Sequence, residues 1–310
     1  MDLFFNELSV KQAGHPDIAK QWMCSLMKVY KSASRKGFKR LRTMQNISGE
    51  LLAPNYSFSH WLKDQSVDQV IRLLFRSQAL NAPFIEDILE KKSEGGDKLF
   101  EFEYNDKIAK GLGAAFLLDS LAVSFNNFPE WDKTSILIYA AYFSDEKADV
   151  IETDETVRHC CKTTHLEFWE KWIETVNKPP IPNGKILWLK RKSLFPHLIF
   201  CEDVKKQISH LHENHAEFVQ IKKRLFELET YCSTWEIGPF DPGSIPSKVT
   251  PESSSRIESC QDNLTILCPD SRHRLFSWHS RYTPGAGRIH FDPDEDNRKI
   301  HVGYIGLKIQ

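Results

Sequence analysis

The sequence has little that would fix it in a membrane, staple it with disulfides or hold it to a polyanion. No apolar run approaches the roughly 18 residues of a membrane span, and the N-terminus MDLFFNELSV carries Asp2 and Glu7 where a secretory leader is basic. A cytoplasmic chain without membrane contact is the expectation. Seven cysteines, an odd number, stand at Cys24, Cys160, Cys161, Cys201, Cys232, Cys260 and Cys268 with no paired metal-ligand spacing and no dense framework. Reduced thiols follow. The net charge of −1 excludes a general field that would draw the chain onto nucleic acid or anionic lipid, so any such contact must be local. No internal repeat or low-complexity tract is present.

What is there is ordinary globular composition, 41% hydrophobic and 27% charged over 310 residues, enough for one large domain or two modest ones. Lys178-Pro179-Pro180-Ile181-Pro182-Asn183-Gly184 excludes helix and pairing strand alike and reads as a linker. It separates an N-terminal α/β region, 1–178, with a regulatory or assembly role, from a smaller domain, 185–310. In the first, Leu3 to Val10 reads as a strand and Asp17 to Lys36 as a helix. Ile108 to Phe125 reads as an apolar helix whose Gly111-Leu112-Gly113 suits close packing, and Ser135 to Phe143 as a buried central strand. Ser66-Val67-Asp68-Gln69 resembles a capping box. The basic run Arg35, Lys36, Lys39, Arg40, Arg42 is taken as a solvated helix end ahead of an RNA patch. His159, Cys160, Cys161 and His165 lack a second ligand pair, so neither a metal nor a cofactor is expected.

Beyond the linker, Leu194 to Cys201 suits a strand and Asp203 to Tyr231 two helices, or one broken near His215. The stretch 233–261, rich in Pro, Ser and Gly, reads as an irregular insertion. Three aromatic and β-branched runs then follow, Leu275 to Tyr282, Arg288 to Phe291 and Lys299 to Ile309, divided by Thr-Pro-Gly-Ala-Gly and Asp-Pro-Asp-Glu-Asp-Asn. That is an antiparallel meander, and the fold class expected is α+β. Period-two alternation puts Phe276, Trp278, Ile289, Phe291, Ile300 and Val302 on a core face, and His279, Arg281, Arg288, His290 and His301 on a cationic one.

The order strand, helical pair, meander, closing with GRIHF, a polar turn and KIHVGYIGLKI, resembles the RelE/HigB type of bacterial toxin from about Lys185 onward. The resemblance implies a RelE-like domain and metal-independent RNA cleavage by the ribose 2′-hydroxyl, often at the ribosome, in a toxin–antitoxin or phage-defence setting with a neutralising protein partner. It places Arg288 at the family's phosphate-binding arginine and Tyr304 and Lys308 near its C-terminal catalytic position. The residues carry their own argument: such cleavage needs a base, an acid and cations on the phosphate. His279 and His290 are candidates for proton transfer, Arg281 and Arg288 for a bidentate phosphate clamp. The alternative is a non-catalytic protein- or RNA-binding subunit of a larger defence complex, gripping its partner with the same sheet face.

Overall fold

The computed structural model describes residues 1–80, 82, 100–144, 149–176, 181–282 and 287–309. Contacts divide the chain into two compact units that part near Pro180, and both mix helix with sheet.

The N-terminal unit carries strands β1 (Leu3–Phe5), β2 (Leu41–Arg42), β3 (Leu51–Ala53), β4 (Tyr56–Ser57), β5 (Phe100–Tyr104), β6 (Lys107–Ile108), β7 (Ala122–Val123), β8 (Ser135–Ser144) and β9 (Asp149–Cys160). Seven of them form one sheet in the order β2-β1-β7-β9-β8-β5-β6, parallel from β2 to β9 and antiparallel where β8 meets β5 and β5 meets β6. Helix α1 (Pro16–Arg35) starts with Pro16 in its first turn and buries Ala19, Met23, Leu26, Met27 and Tyr30 in a core shared with Leu3, Phe5 and Phe125.

The expected strand Leu3 to Val10 stops at Phe5, where Asn6 caps a short 3-10 turn by accepting from Leu8 N. The apolar stretch Ile108 to Phe125 is likewise interrupted. Helix Lys110–Leu117 ends ahead of Asp119, whose φ of 45° is left-handed, and the chain returns as β7. At its start the Glu7 carboxylate accepts from Lys110 N at 2.5 Å and Gly111 N at 2.9 Å, a contact that leaves no room for a Cβ at Gly111. Packing, rather than nucleotide binding, accounts for that glycine pair. Strand β8 alternates, with Ile136, Ile138 and Ala140 buried and Leu137 exposed, so it is half-covered rather than buried throughout. The capping box sits at Ser57 and His60; Asp68 caps Gln69–Gln78 alone, accepting from Val70 N and Ile71 N.

The C-terminal unit opens with helix Gly184–Leu194, capped by Asn183 accepting from Ile186 N; it begins at the last residue of the expected linker and was not itself expected. Then come β10 (Leu198–Phe200), helices Asp203–Ile208 and Ala216–Thr234, β11 (Val249–Pro251), helix Ser254–Leu264, β12 (Thr265–Leu267), β13 (His273–Leu275), β14 (Trp278–Tyr282), β15 (Gly287–Asp294) and β16 (Lys299–Gly306). The meander β14-β15-β16 is therefore present. It is part of a five-stranded sheet, β10-β16-β15-β14-β11, in which β10 pairs parallel to β16 and the rest are antiparallel.

Leu187, Phe195, Val204, Ile208, Leu225 and Leu228 from the helices pack with Ile289, Phe291, Ile300 and Val302 from the sheet. Two expectations fail here. The stretch 233–261 is not irregular throughout, because β11 and most of helix Ser254–Leu264 lie in it; Cys260 and Leu264 of that helix pack with Ile309 and Tyr304. Phe276 leaves the main core face and packs with Cys201 and Cys268, its ring occupying the space over Gly303.

Candidate functional site

Two strand pairings assemble the site. Across β14 and β15, His279 faces His290 and Arg281 faces Arg288. Across β15 and β16, His290 faces Tyr304, and a bulge at His290/Phe291 then shifts the register so that Asp292 faces His301. The face alternation read from sequence brings His279, Arg281, Arg288 and His290 together and leaves His301 farther along, opposite Asp292; Tyr304, named by the resemblance, joins the group with its ring edge-on to His290 at 5.8 Å. Lys308 lies two residues past the end of β16 and is half-buried.

The polar face is not a solvated patch. His279, His290 and Arg288 are 1%, 0% and 2% exposed, and His301 is buried as well. What His279, His290 and Arg288 meet is Glu252, which sequence reasoning missed, while His301 Nε2 lies 3.7 Å from Asp294 Oδ2. The backbone N–H of Glu252 donates to Ser277 O at 2.7 Å, continuing the β11–β14 ladder one residue past Pro251 and turning the carboxyl inward. Its Oε1 accepts from Arg288 Nη1 at 2.8 Å, and its Oε2 meets Arg256 Nε at 3.3 Å. The same Oε1 lies 3.3 Å from His279 Nδ1 and 4.0 Å from His290 Nε2, and neither nitrogen makes a hydrogen bond. The only sequence signal for this partner is an acidic residue just ahead of a serine-rich helix start, Pro251-Glu252-Ser253-Ser254.

The outer ring nitrogens are held from behind. His279 Nε2 bonds Thr250 Oγ1 at 3.2 Å, and His290 Nδ1 lies 3.4 Å from Phe276 O. A carbonyl only accepts, so His290 carries its proton on Nδ1 and turns a lone pair toward Glu252. Burial pushes His279 down to about 3 and His290 to about 4, helped by each other's neighbouring guanidiniums, so both imidazoles are neutral at pH 7. Burial also pulls Arg288 down to about 10, leaving it charged.

Glu252, His279 and His290 stand close enough to ligate one cation. The charges argue otherwise: a divalent ion on Oε1 would sit beside the Arg288 guanidinium 2.8 Å from the same oxygen, with Arg256 on the other, in a buried place that screens little. The charges of the group suit an anion, and the anion it surrounds is the chain's own carboxylate, Glu252.

The residues suggested by the His159-Cys160-Cys161 run divide. His159 donates from Nδ1 to Lys133 O at 2.7 Å and accepts at Nε2 from Ser124 Oγ at 2.7 Å, while Asn6 Nδ2 donates to that same hydroxyl at 3.0 Å. All three side chains are buried, and the chain of bonds ties β1, β7 and β9 together. Cys160 Sγ points to Ala122 O. Cys161 and His165 turn to Asp132 instead: His165 Nε2 is 3.2 Å from Asp132 Oδ1, and Cys161 Sγ is 3.9 Å from both His165 Nδ1 and Asp132 Oδ1.

Among the described residues no helix is long and apolar enough to cross a membrane. Comparison of the chain with protein-family models, with curated proteins and with solved structures finds no match.

Proposed function

We propose that the C-terminal unit is a RelE-like module directed at the phosphodiester backbone of RNA, serving as the effector of a bacterial toxin–antitoxin or phage-defence system. One observation carries this reading: two guanidiniums and two imidazole nitrogens converge on a single carboxylate, Glu252, in the arrangement a phosphoryl oxygen would need. Arg288 and Arg256, the two guanidiniums on Glu252, clamp the phosphate, and Arg281, opposite Arg288 on the neighbouring strand, adds a further cation. One of His279 and His290 takes the proton from the ribose 2′-hydroxyl as the O2′–P bond forms, and the other delivers a proton to O5′ as the P–O5′ bond breaks, leaving a 2′,3′-cyclic phosphate. Tyr304 flanks His290, and Lys308 follows the same strand as a further cation.

Because the site is buried, Glu252 must leave before RNA enters. Rehydration on opening returns the imidazoles toward their ordinary range near 6.5, where one can be protonated and the other not. The second reading, a non-catalytic RNA- or protein-binding subunit, is favoured by that same burial, since a closed network also serves as an internal pin.

The test uses the full chain on cellular RNA, with cleavage ends mapped for 2′,3′-cyclic phosphate. Cuts that appear with the native chain and vanish in Arg288→Ala with His290→Ala, at unchanged circular dichroism, support the nuclease. RNA left intact by a folded native chain, or cleavage undiminished in the double variant, removes it and leaves the binding subunit.

A further inference from the structure

We infer that Asp132, Cys161 and His165 form a binding site for a borderline-soft divalent cation of the zinc class in the N-terminal unit. The inference is independent of the RNA reading, which uses none of these residues.

One sulfur, one imidazole nitrogen and one carboxylate oxygen lie within 4.8 Å of one another there. Three different pieces of local structure deliver them. Asp132 closes the 3-10 turn Pro129–Trp131, Cys161 follows the last residue of β9, and His165 stands in the first turn of helix Thr163–Phe168. The C-x3-H spacing across a strand-to-helix corner therefore aims both side chains at the same turn. Sulfur-to-nitrogen and sulfur-to-oxygen separations are both 3.9 Å, where tetrahedral zinc would hold such ligands at about 3.5 Å. The sulfur faces His165 Nδ1 while Asp132 Oδ1 faces Nε2 at 3.2 Å, so closing all three on one ion takes a turn of the imidazole as well as a small contraction.

Cys161 and His165 are buried while Asp132 is exposed, so three protein ligands leave a fourth position toward water, the open type of zinc coordination. Without the ion these groups are bonded to one another: the Cys161 thiol donates to Asn126 Oδ1 at 3.6 Å and Cys161 N donates to His165 Nδ1 at 3.4 Å, two long bonds that ligation would replace.

In the metal-free arrangement the Asp132 carboxylate is held by positive or proton-bearing groups, Lys162 Nζ at 2.6 Å and the His165 Nε2 side at 3.2 Å. These stand where a cation would stand. Lys162 is 42% exposed and can release Asp132 to solvent without leaving a buried charge behind. Charge then balances: a thiolate and a carboxylate offset the two positive charges of the ion, unlike the Glu252 group, where guanidiniums occupy the carboxylate. Binding costs the Cys161 proton, because burial and Asp132 push the free thiol up to about 12. That same shift makes the thiol a poor nucleophile and separates this reading from covalent catalysis.

The experiment is titration of the reduced full chain with cobalt(II), followed by the thiolate-to-cobalt charge-transfer band in the near ultraviolet. One equivalent should develop the band and release a proton, and zinc should bleach it. Cys161→Ser, nearly isosteric, should abolish it; Asp132→Asn should weaken binding at least tenfold; Cys160→Ser should leave it intact. Absence of the band in folded native chain, or its survival in Cys161→Ser, overturns the assignment.

Discussion

Replacing Glu252 by glutamine removes one negative charge and keeps the shape of the side chain, which makes it a clean probe of the buried group. Arg288, 2% exposed, then loses the carboxylate that lies 2.8 Å from its Nη1, and Arg256 loses the oxygen 3.3 Å from its Nε. The amide oxygen can still accept from one guanidinium, but the NH2 that replaces the other carboxylate oxygen offers the second guanidinium only donors. Breaking one side of a buried ion pair costs about 3–5 kcal/mol, since the remaining charge stays out of water. Set against the roughly 5–15 kcal/mol that hold a domain folded, this is a large fraction. With a urea slope of about 1–3 kcal/mol per M, the midpoint of the C-terminal unit should fall by about 1 M or more.

The assay is urea unfolding of the full chain, with hydrogen exchange at the β15 amides assigning the transition to that unit. Inorganic phosphate supplies a second arm. If the group is an anion seat, phosphate should stabilise the glutamine variant, by about 2.7 kcal/mol at a hundredfold excess over Kd, and leave the native chain unchanged because its seat is filled. A midpoint within about 0.2 M of native, or phosphate acting equally on both, would refute the reasoning.

Two further outcomes are expected. His279 and His290 have folded values of about 3 and about 4, below the unfolded value near 6.5, so the unfolded chain binds more protons across that window. Their contribution is complete above about pH 7 and is lost on acidification at up to about 1.4 kcal/mol per unit for each imidazole; His159, held at about 4 by burial, adds the same sign in the N-terminal unit. Urea midpoints flat between about pH 7.5 and 5 would contradict this. Separately, Gly184→Ala would drive a Cβ into the Ile208 carbonyl, backbone that cannot swing aside, and should cost about 3 kcal/mol or more in a denaturant titration. Gly14→Ala, where the space is open, should stay within about 0.5 kcal/mol.

How far the sequence could be read depended on distance along the chain. Turn chemistry and alternation are local, so the meander and the common face of His279, Arg281, Arg288 and His290 were legible, but the register that sets His279 opposite His290 was not. The helix pair breaking near His215 was legible for the same reason. Glu252 was not: nothing near it marks a buried carboxylate, and its role exists only because β11 joins β14 and delivers it to side chains far along the sequence. Phe276 was misplaced because its position is decided by Gly303, a bulge residue on another strand that leaves room for the ring. The burial of the cationic face was not legible, because Glu252 and helix Ser254–Leu264 lie in a segment whose Pro, Ser and Gly content suggests loop.

Strand β16 sits between β10 and β15, although β10 is made long before it. During synthesis the helices of the C-terminal unit and β10 emerge without the strand that completes their sheet, and Ile300, Val302 and Ile305 are still missing from the core. Closing that long loop comes late and cannot be anticipated by local contacts. The His279–His290–Arg288 group, which needs β15 seated beside both neighbours, therefore matures as one of the last events in folding. A nascent chain would lack the group until then, and one stalled before Lys299 would present an apolar helical layer, a surface that invites chaperones and proteases.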